Sequence, residues 1–158
     1  MYPNEIEKGL RPGKVAQVGF VVGNLSESVK KYEEGIGIGP FTVFRFQPEK
    51  SFVDGRESPI DLMIGTAQLT QELSIELIEV VSGETYHKRF LEDHGEGIQH
   101  LGCITDDYDG VLERARKLNI AVLMSAETDV PGMGHVRAAY LDTLPVMGTL
   151  LEVIEVTD

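Results

Sequence analysis

Four polar side chains lie in otherwise apolar stretches of the chain, and together they could bind a divalent metal ion. They are one glutamine, one histidine and two glutamates: Gln17, His100, Glu76 and Glu152. An amide oxygen, an imidazole and two carboxylates are donors that divalent metal ions accept in proteins. Each residue alone is more typical of a surface or hydrogen-bonded position, so a metal site requires that the fold bring all four together.

An internal repeat places these four residues at equivalent positions. The segments "QVGFVVGNLSESVKKY" and "HLGCITDDYDGVLERA" align without a gap, so Gln17 matches His100. Further along, "SIELIEV" aligns with "LLEVIEV", and Glu76 matches Glu152. A repeat predicts two similar modules, and a pseudo-twofold pairing of modules would bring their first and last strands around one cavity.

Two further glutamates test the argument about strand faces. Glu79 and Glu155 each lie three residues beyond a candidate ligand on the same predicted strand. Side chains alternate between the two faces of a strand, so both glutamates are predicted to lie on the opposite face, in solvent.

The hydrophobic periodicity predicts the order strand, helix, strand, strand, strand in each module. Module one covers about 14–80 and module two about 98–157, and a linker helix at about 84–94 joins them, with Tyr86, Phe90 and Leu91 buried. The fold class is therefore α+β, and residues 1–158 are predicted to form one domain.

Capping residues mark the predicted ends of the module helices. Asn24 is expected to cap the first helix and Gly35 to end it, whereas Asp106 or Asp107 is expected to cap the helix of module two. Side-chain oxygens at these positions satisfy free backbone N–H groups, and a glycine allows the chain to leave the helix.

Charge and hydropathy exclude several classes of partner. The chain has 14 basic and 26 acidic residues, with a formal net charge of −12, which repels nucleic acid and anionic membranes. The apolar runs are much shorter than the ~20 residues of a membrane span. The segment "MYPNEIEKGLRPGK" contains no apolar core typical of a signal peptide, which predicts a cytoplasmic protein.

The chain resembles the vicinal oxygen chelate superfamily of glyoxalases, bleomycin resistance proteins and dioxygenases. The resemblance rests on the paired modules and on "VAQVGFVVGNLSESVKKY", "FLEDHGEGIQHLGCITDDYDGVLERARKLNI" and "GTLLEVIEV". Within that superfamily the segment "FLEDHGEGIQHLG" is most similar to the methylmalonyl-CoA epimerases. The resemblance implies two tandem βαβββ modules that form a curved, half-open mixed sheet barrel around one cavity, and it implies a homodimer.

The resemblance also implies a ligand set. Glu76, His100 and Glu152 match the second, third and fourth metal ligands of the family, whereas Gln17 stands where the first ligand is usually histidine. One histidine with two carboxylates is a hard, oxygen-rich set, which favours a Lewis-acid ion over redox-active iron. The expected cofactor is a divalent ion of Co, Mn, Mg, Ni or Zn.

The activity implied by the resemblance is epimerisation of a 2-substituted acyl thioester, with methylmalonyl-CoA as the leading substrate. Glu152 is expected to carry one proton, and Glu57 or Asp61 the other. Five cations could bind the phosphates of coenzyme A: Lys14, Arg45, Lys88, Arg89 and Arg137. The alternatives are a glyoxalase-like isomerase or lyase acting on another carbonyl compound, and a non-catalytic ligand-binding protein of the same fold.

Overall fold

Ten strands form one continuous mixed sheet, curled into a half-open barrel, in the computed structural model of the chain. The predicted α+β fold is therefore confirmed. The structure describes residues 8–158, so the first half of the segment analysed for a signal peptide lies outside the described residues. From residue 8 onwards, no helix has both the length and the apolar character needed to cross a membrane.

Both halves of the chain contain the order strand, helix, strand, strand, strand, with an additional hairpin in the first half and an additional short helix in the second. The strands are β1 (Lys14–Val21), β2 (Thr42–Phe46), β3 (Lys50–Val53), β4 (Arg56–Glu57), β5 (Asp61–Gln68), β6 (Ser74–Ser82), β7 (Gly97–Ile104), β8 (Val122–Val130), β9 (Gly134–Leu141) and β10 (Leu150–Thr157). The helices are α1 (Leu25–Lys30), which continues as a π-helical segment (Lys31–Ile36), then α2 (Tyr86–His94), α3 (Tyr108–Lys117) and α4 (Leu144–Met147).

The two halves meet along β1 and β7, which pair antiparallel in the middle of the sheet. The full strand order is β2-β5-β6-β1-β7-β10-β9-β8-β3-β4. In each half the first strand is parallel to the last strand, so equivalent strands occupy equivalent places on either side of the centre.

A short hairpin, β3–β4, departs from the predicted pattern. It belongs to the first half of the chain but pairs with β8 of the second half, where Phe52 lies opposite Ser125. Sequence periodicity did not predict this hairpin, because its strands are short and its partner strand lies far away in the sequence.

The sheet has two faces with different contents. On the outer face, α1 packs against Val22, Ala67, Ile75 and Leu77, and α3 packs against Cys103, Ala139, Leu141, Leu151 and Val153. The opposite face, which we call the inner face, carries two smaller apolar clusters. They are Leu62, Ile64 and Ile78 in the first half, and Val53, Met124, Tyr140 and Leu150 in the second half.

The last strand of each half caps the helix of that half. Glu79 Oε2 accepts a hydrogen bond from the backbone N–H of Leu25 at 2.9 Å, and Glu155 Oε2 accepts one from Tyr108 at 3.4 Å. Carboxylates are favourable at these helix ends because the free N–H groups carry partial positive charge. The prediction that Glu79 and Glu155 lie in solvent is therefore wrong, since both are half-buried against helices.

The helix ends agree only in part with the predicted caps. The Asn24 side chain accepts from the backbone N–H of Glu27, as predicted. The first helix widens into the π-helical segment and ends at Gly37, at a φ of 84°, rather than at Gly35. Asp107 occupies the N-cap position of α3, but its carboxylate binds Arg114 and caps no N–H group.

Helix α2 buries a residue that periodicity did not single out. Tyr86, Phe90 and Leu91 were expected to be buried, yet all three are half-buried. The buried residue is His87, which is 1% exposed and whose ring lies 5.1 Å from the ring of Tyr140. Helix α2 therefore packs its first turn against the inner face.

Two glycines on the central strands make room for larger side chains on their neighbours. Gly19 on β1 pairs with His100 on β7, and a Cβ atom at Gly19 would lie 2.0 Å from His100 Cε1. Gly102 on β7 pairs with Gln17 on β1, and a Cβ atom there would lie 2.9 Å from Gln17 Oε1. Each strand therefore places a polar side chain over the glycine of the other.

We expect Gly19→Ala to destabilise the protein, because the imidazole of His100 is fully buried and cannot move aside freely. The cost of such overpacking is about 1–3 kcal/mol in the free energy of unfolding, measured by urea denaturation. Gly97→Ala on β7 is the matched control, since a Cβ atom at Gly97 meets nothing within 4 Å. Equal effects of the two substitutions would contradict this account of the packing.

Candidate metal centre

The sheet register brings the four candidate ligands to two neighbouring rows of the inner face. Glu76 and His100 both pair with Gly19, so they lie on either side of it in one row. Gln17 and Glu152 both pair with Gly102 in the next row. Paired residues on adjacent strands point to the same face, so all four side chains project inwards.

Three of the four side chains approach one another closely. His100 Nε2 lies 3.2 Å from Glu152 Oε2 and 3.4 Å from Glu76 Oε1. One donor atom from each of these residues lies within 4.8 Å of the others. These separations match ligands of one ion, because two donors at ~2.1 Å from a metal and at right angles are about 3 Å apart.

Several buried polar atoms in this cluster have no hydrogen-bond partner in the part of the chain that the structure describes. They are Gln17 Oε1, His100 Nε2 and Glu152 Oε2. The contacts between His100 and the two carboxylates are close, but they are not aligned as hydrogen bonds. A buried polar atom without a partner is costly, and three such atoms on one patch of the inner face are what a metal ion would satisfy.

The charges in the cluster also favour a cation. Glu76 is 9% exposed and Glu152 is 6% exposed, and within residues 8–158 neither carboxylate forms an ion pair with lysine or arginine. Burial opposes protonation of His100, but Glu152 and Glu76 outweigh burial and raise the pKa of the imidazole from 6.5 to about 9. The residues present therefore fit a divalent metal ion, which would neutralise both carboxylates.

The two candidate proton carriers beside Glu152 lie outside this cluster. Asp61 is paired with Ser82, six residues along β6 from Glu76, a distance of about 20 Å along the strand at ~3.3 Å per residue. Its carboxylate binds Arg45 at 2.9 and 2.5 Å, and the hydrogen bond from Arg45 lowers the pKa of Asp61. Glu57 is exposed on the edge strand β4.

Three residues near His100 were not identified from the sequence: Tyr140, Gln99 and His87. The ring of Tyr140 lies 5.0 Å from the ring of His100, and burial, with the charges of Glu152 and Glu76, raises the pKa of Tyr140 well above 10. Tyr140 pairs with Glu152 on the neighbouring strand. Pairing of the two strands in the correct register was therefore the one signal that could have identified Tyr140 as a neighbour of the site.

Comparison with known proteins gives a family match over most of the chain. Residues 16–140 match the family described as the glyoxalase/bleomycin resistance protein/dioxygenase superfamily. No protein of curated function is significantly similar to the chain in sequence.

Solved structures share the fold at low sequence identity. Methylmalonyl-CoA epimerase from Mycobacterium tuberculosis is 19% identical, with 92% of this chain and 89% of that chain covered and a TM-score of 0.59. A Streptomyces coelicolor epimerase variant bound to 2-nitronate-propionyl-CoA is 19% identical, with 92% and 99% covered and a TM-score of 0.61. An epimerase in complex with methylmalonyl-CoA and NH4+ is 18% identical, with 92% and 95% covered and a TM-score of 0.62.

The family match extends from β1 to β9 and includes three of the four residues of the candidate centre. It agrees with the curled mixed sheet. The chain belongs to the glyoxalase/bleomycin resistance protein/dioxygenase superfamily, also called the vicinal oxygen chelate superfamily.

Proposed function

We propose that the protein is a metal-dependent epimerase or isomerase that stabilises an enolate formed by removal of an α-proton. The observation that carries this proposal is the buried cluster of Glu76, His100 and Glu152, in which one imidazole is the sole cationic partner that residues 8–158 offer the two carboxylates. Members of the superfamily use divalent metals, and this cluster has the donors to bind one.

In this proposal Glu76, His100 and Glu152 hold the ion, and Gln17 contributes its amide oxygen. The ion, of Co, Mn, Mg, Ni or Zn, supplies Lewis-acid stabilisation of a carbonyl oxygen that gains negative charge. The iron oxygenases use two histidines and one carboxylate, whereas this site offers one imidazole and three oxygen donors. This difference supports a non-redox reaction.

Glu152 is the proposed carrier of one proton. Its carboxylate is 6% exposed on the inner face, and with Oε2 bound to the ion its second oxygen would take the proton from a substrate there. Glu57 and Asp61 stay predictions for the second carrier. Of these, Glu57 is the better candidate, because Arg45 and Gln47 already bind the carboxylate of Asp61 and favour its charged form.

The apolar clusters that flank the site support chemistry on a carbonyl compound. Ile64 and Ile78 lie on one side of the site and Met124 and Leu150 on the other. Apolar walls exclude water, which strengthens the interaction between fixed charges and a developing enolate.

Methylmalonyl-CoA is the leading substrate because the structural neighbours include epimerases with acyl-CoA compounds bound. The cations expected to bind the phosphates of coenzyme A offer less support for this substrate. Arg45, Lys88, Arg89 and Arg137 each form an ion pair within the protein, with Asp61, Glu84, Asp54 and Asp109, respectively. This pairing favours a second candidate function, a glyoxalase-like isomerase or lyase acting on a carbonyl compound without phosphates.

The homodimer and the cytoplasmic location also stay predictions. Strands β2 and β4 form the two edges of the sheet, and an unpaired edge offers backbone groups to a second chain. Sedimentation of the purified protein would measure its oligomeric state.

His100→Ala and Glu152→Ala should each weaken metal binding by more than about 100-fold, because each removes a direct ligand rather than an outer contact. The measurement is cobalt or zinc titration of chelator-treated protein by calorimetry. Glu155→Ala is the matched control for Glu152→Ala, since it lies on the same strand but faces α3. A comparable loss in Glu155→Ala would contradict the assignment of the two faces.

Gln17→His should tighten metal binding, by about tenfold or ~1.4 kcal/mol, because imidazole is a stronger donor than an amide oxygen. The same titration measures the change. An unchanged affinity would show that residue 17 lies outside the coordination sphere.

Catalysis is tested by exchange of the α-hydrogen of methylmalonyl-CoA in deuterium oxide, followed by NMR with and without added cobalt. We expect metal-dependent exchange in the wild-type protein and none in Glu152→Ala. Metal uptake without exchange would remove methylmalonyl-CoA as substrate and favour another carbonyl compound. If the protein shows no metal uptake and no exchange, the enzymatic proposal is overturned and a ligand-binding protein is favoured.

A further inference from the structure

A bulge in β7 lies immediately before His100. Gly19 pairs with His100 and the next residue, Phe20, pairs with Ile98, so Gln99 is an extra residue without a partner on β1. In a bulge of this kind two successive side chains can turn towards the same face, and bulges often redirect a side chain into a functional site. The bulge therefore explains how both Gln99 and His100 reach the interior.

A second bulge lies at the equivalent place in the first half of the chain. Val15 pairs with Cys103 and Gln17 pairs with Gly102, which leaves Ala16 as the extra residue. The repeat therefore has a bulge before each of its two equivalent polar positions. Only the second bulge carries a side chain that can form hydrogen bonds.

The Gln99 side chain contacts two histidines. Its Oε1 lies 3.0 Å from Nδ1 of His100 and 2.7 Å from Nδ1 of His87. All three side chains are buried, with exposed fractions of 3% for Gln99, 1% for His87 and 0% for His100. These contacts are therefore protected from water.

The chemistry of the contacts fixes where the hydrogens lie. The structure places the amide oxygen of Gln99 towards both rings, and because an amide oxygen only accepts hydrogen bonds, Nδ1 of each histidine is the donor in this arrangement. In the neutral imidazole of His100 this leaves the lone pair on Nε2, the atom that faces Glu76 and Glu152. Histidines that bind metals commonly donate their other N–H to an acceptor in this way, which fixes the orientation of the ring.

His87 holds Gln99 from the linker helix. Thr85 caps α2 by accepting from the backbone N–H of Lys88, and this places His87 in the first buried turn. The His87 ring packs against Tyr140, with 5.1 Å between ring centres. Gln99 is therefore held on both sides, by its own strand and by α2.

We propose that Gln99 and His87 are positioning residues that orient the imidazole of His100 so that Nε2 is presented to a metal ion. This inference rests on the proposed metal-binding function. It gives the bulge and the linker helix a specific role: they set the orientation of one ligand without touching the ion or the substrate.

The first test separates hydrogen bonding from packing at position 99. Gln99→Met keeps the length of the side chain but removes the acceptor, whereas Gln99→Glu keeps an acceptor. We expect Gln99→Met to weaken zinc binding by about 10–100-fold and Gln99→Glu to keep affinity near that of the wild type, as measured by calorimetry. Wild-type affinity in Gln99→Met would overturn the proposal, because packing alone would then be sufficient.

The contribution of His87 needs its own variant. His87→Phe keeps an aromatic ring against Tyr140 but removes the hydrogen bond to Gln99, and it should weaken zinc binding by a smaller factor than Gln99→Met. Ile98→Ala is the control, since that side chain is 54% exposed and adjoins Gln99 on the same strand. Unchanged affinity in His87→Phe would remove His87 from the proposal.

A second measurement decides the proposal even if the wild-type protein binds no metal. In protein labelled with 15N-histidine, we expect a His100 Nδ1–H signal that exchanges slowly with water, with or without zinc. This signal should be lost in Gln99→Met and retained in Ile98→Ala. A wild-type spectrum in which Nδ1 carries no hydrogen would overturn the role of Gln99, whereas failure of zinc to bind, with the Nδ1–H signal present, would overturn the metal function and leave Gln99 only as the residue that orients the His100 ring.

Discussion

The structure of the candidate centre depends on two glycines, one on each central strand, which make room for a polar side chain of the other strand. Gly19 leaves room for His100, and Gly102 leaves room for Gln17. The His100 ring lies directly over Gly19, where a Cβ atom would be 2.0 Å from the imidazole, so a side chain at position 19 would displace His100. The glycines let equivalent polar residues lie side by side at the middle of the sheet, where the last strand of each half adds a glutamate.

Charge is the second constraint on the centre. Glu76 and Glu152 are buried close to one imidazole, and burying a carboxylate is costly unless a cation or several hydrogen bonds compensate. A proton on His100 compensates in part: burial lowers the pKa of this histidine, but the two carboxylates outweigh burial and raise the pKa to about 9. His87, which forms no ion pair with a carboxylate of residues 8–158, shows the opposite behaviour, because burial and the nearby charge of His100 lower its pKa to about 4.

Much of the fold and part of the centre could be predicted from the sequence. Alternation along strands and the internal repeat were sufficient to place Glu76 and Glu152 on one face. Gln99 and His87 could not be found in this way, because a bulge arises from pairing between strands and the burial of His87 arises from the docking of α2. The capping roles of Glu79 and Glu155 were missed for a similar reason: they depend on helices packed against the outer face.

The β3–β4 hairpin makes the two halves of the repeat interdependent. Its residues precede β5 in the chain, yet β3 covers the open edge of β8. The second half on its own would therefore expose β8, and an uncovered strand edge promotes aggregation. If the molecule descends from a duplicated single module, this hairpin makes each copy depend on the other. Neither copy could later be lost, exchanged or expressed separately without a replacement for the missing strand.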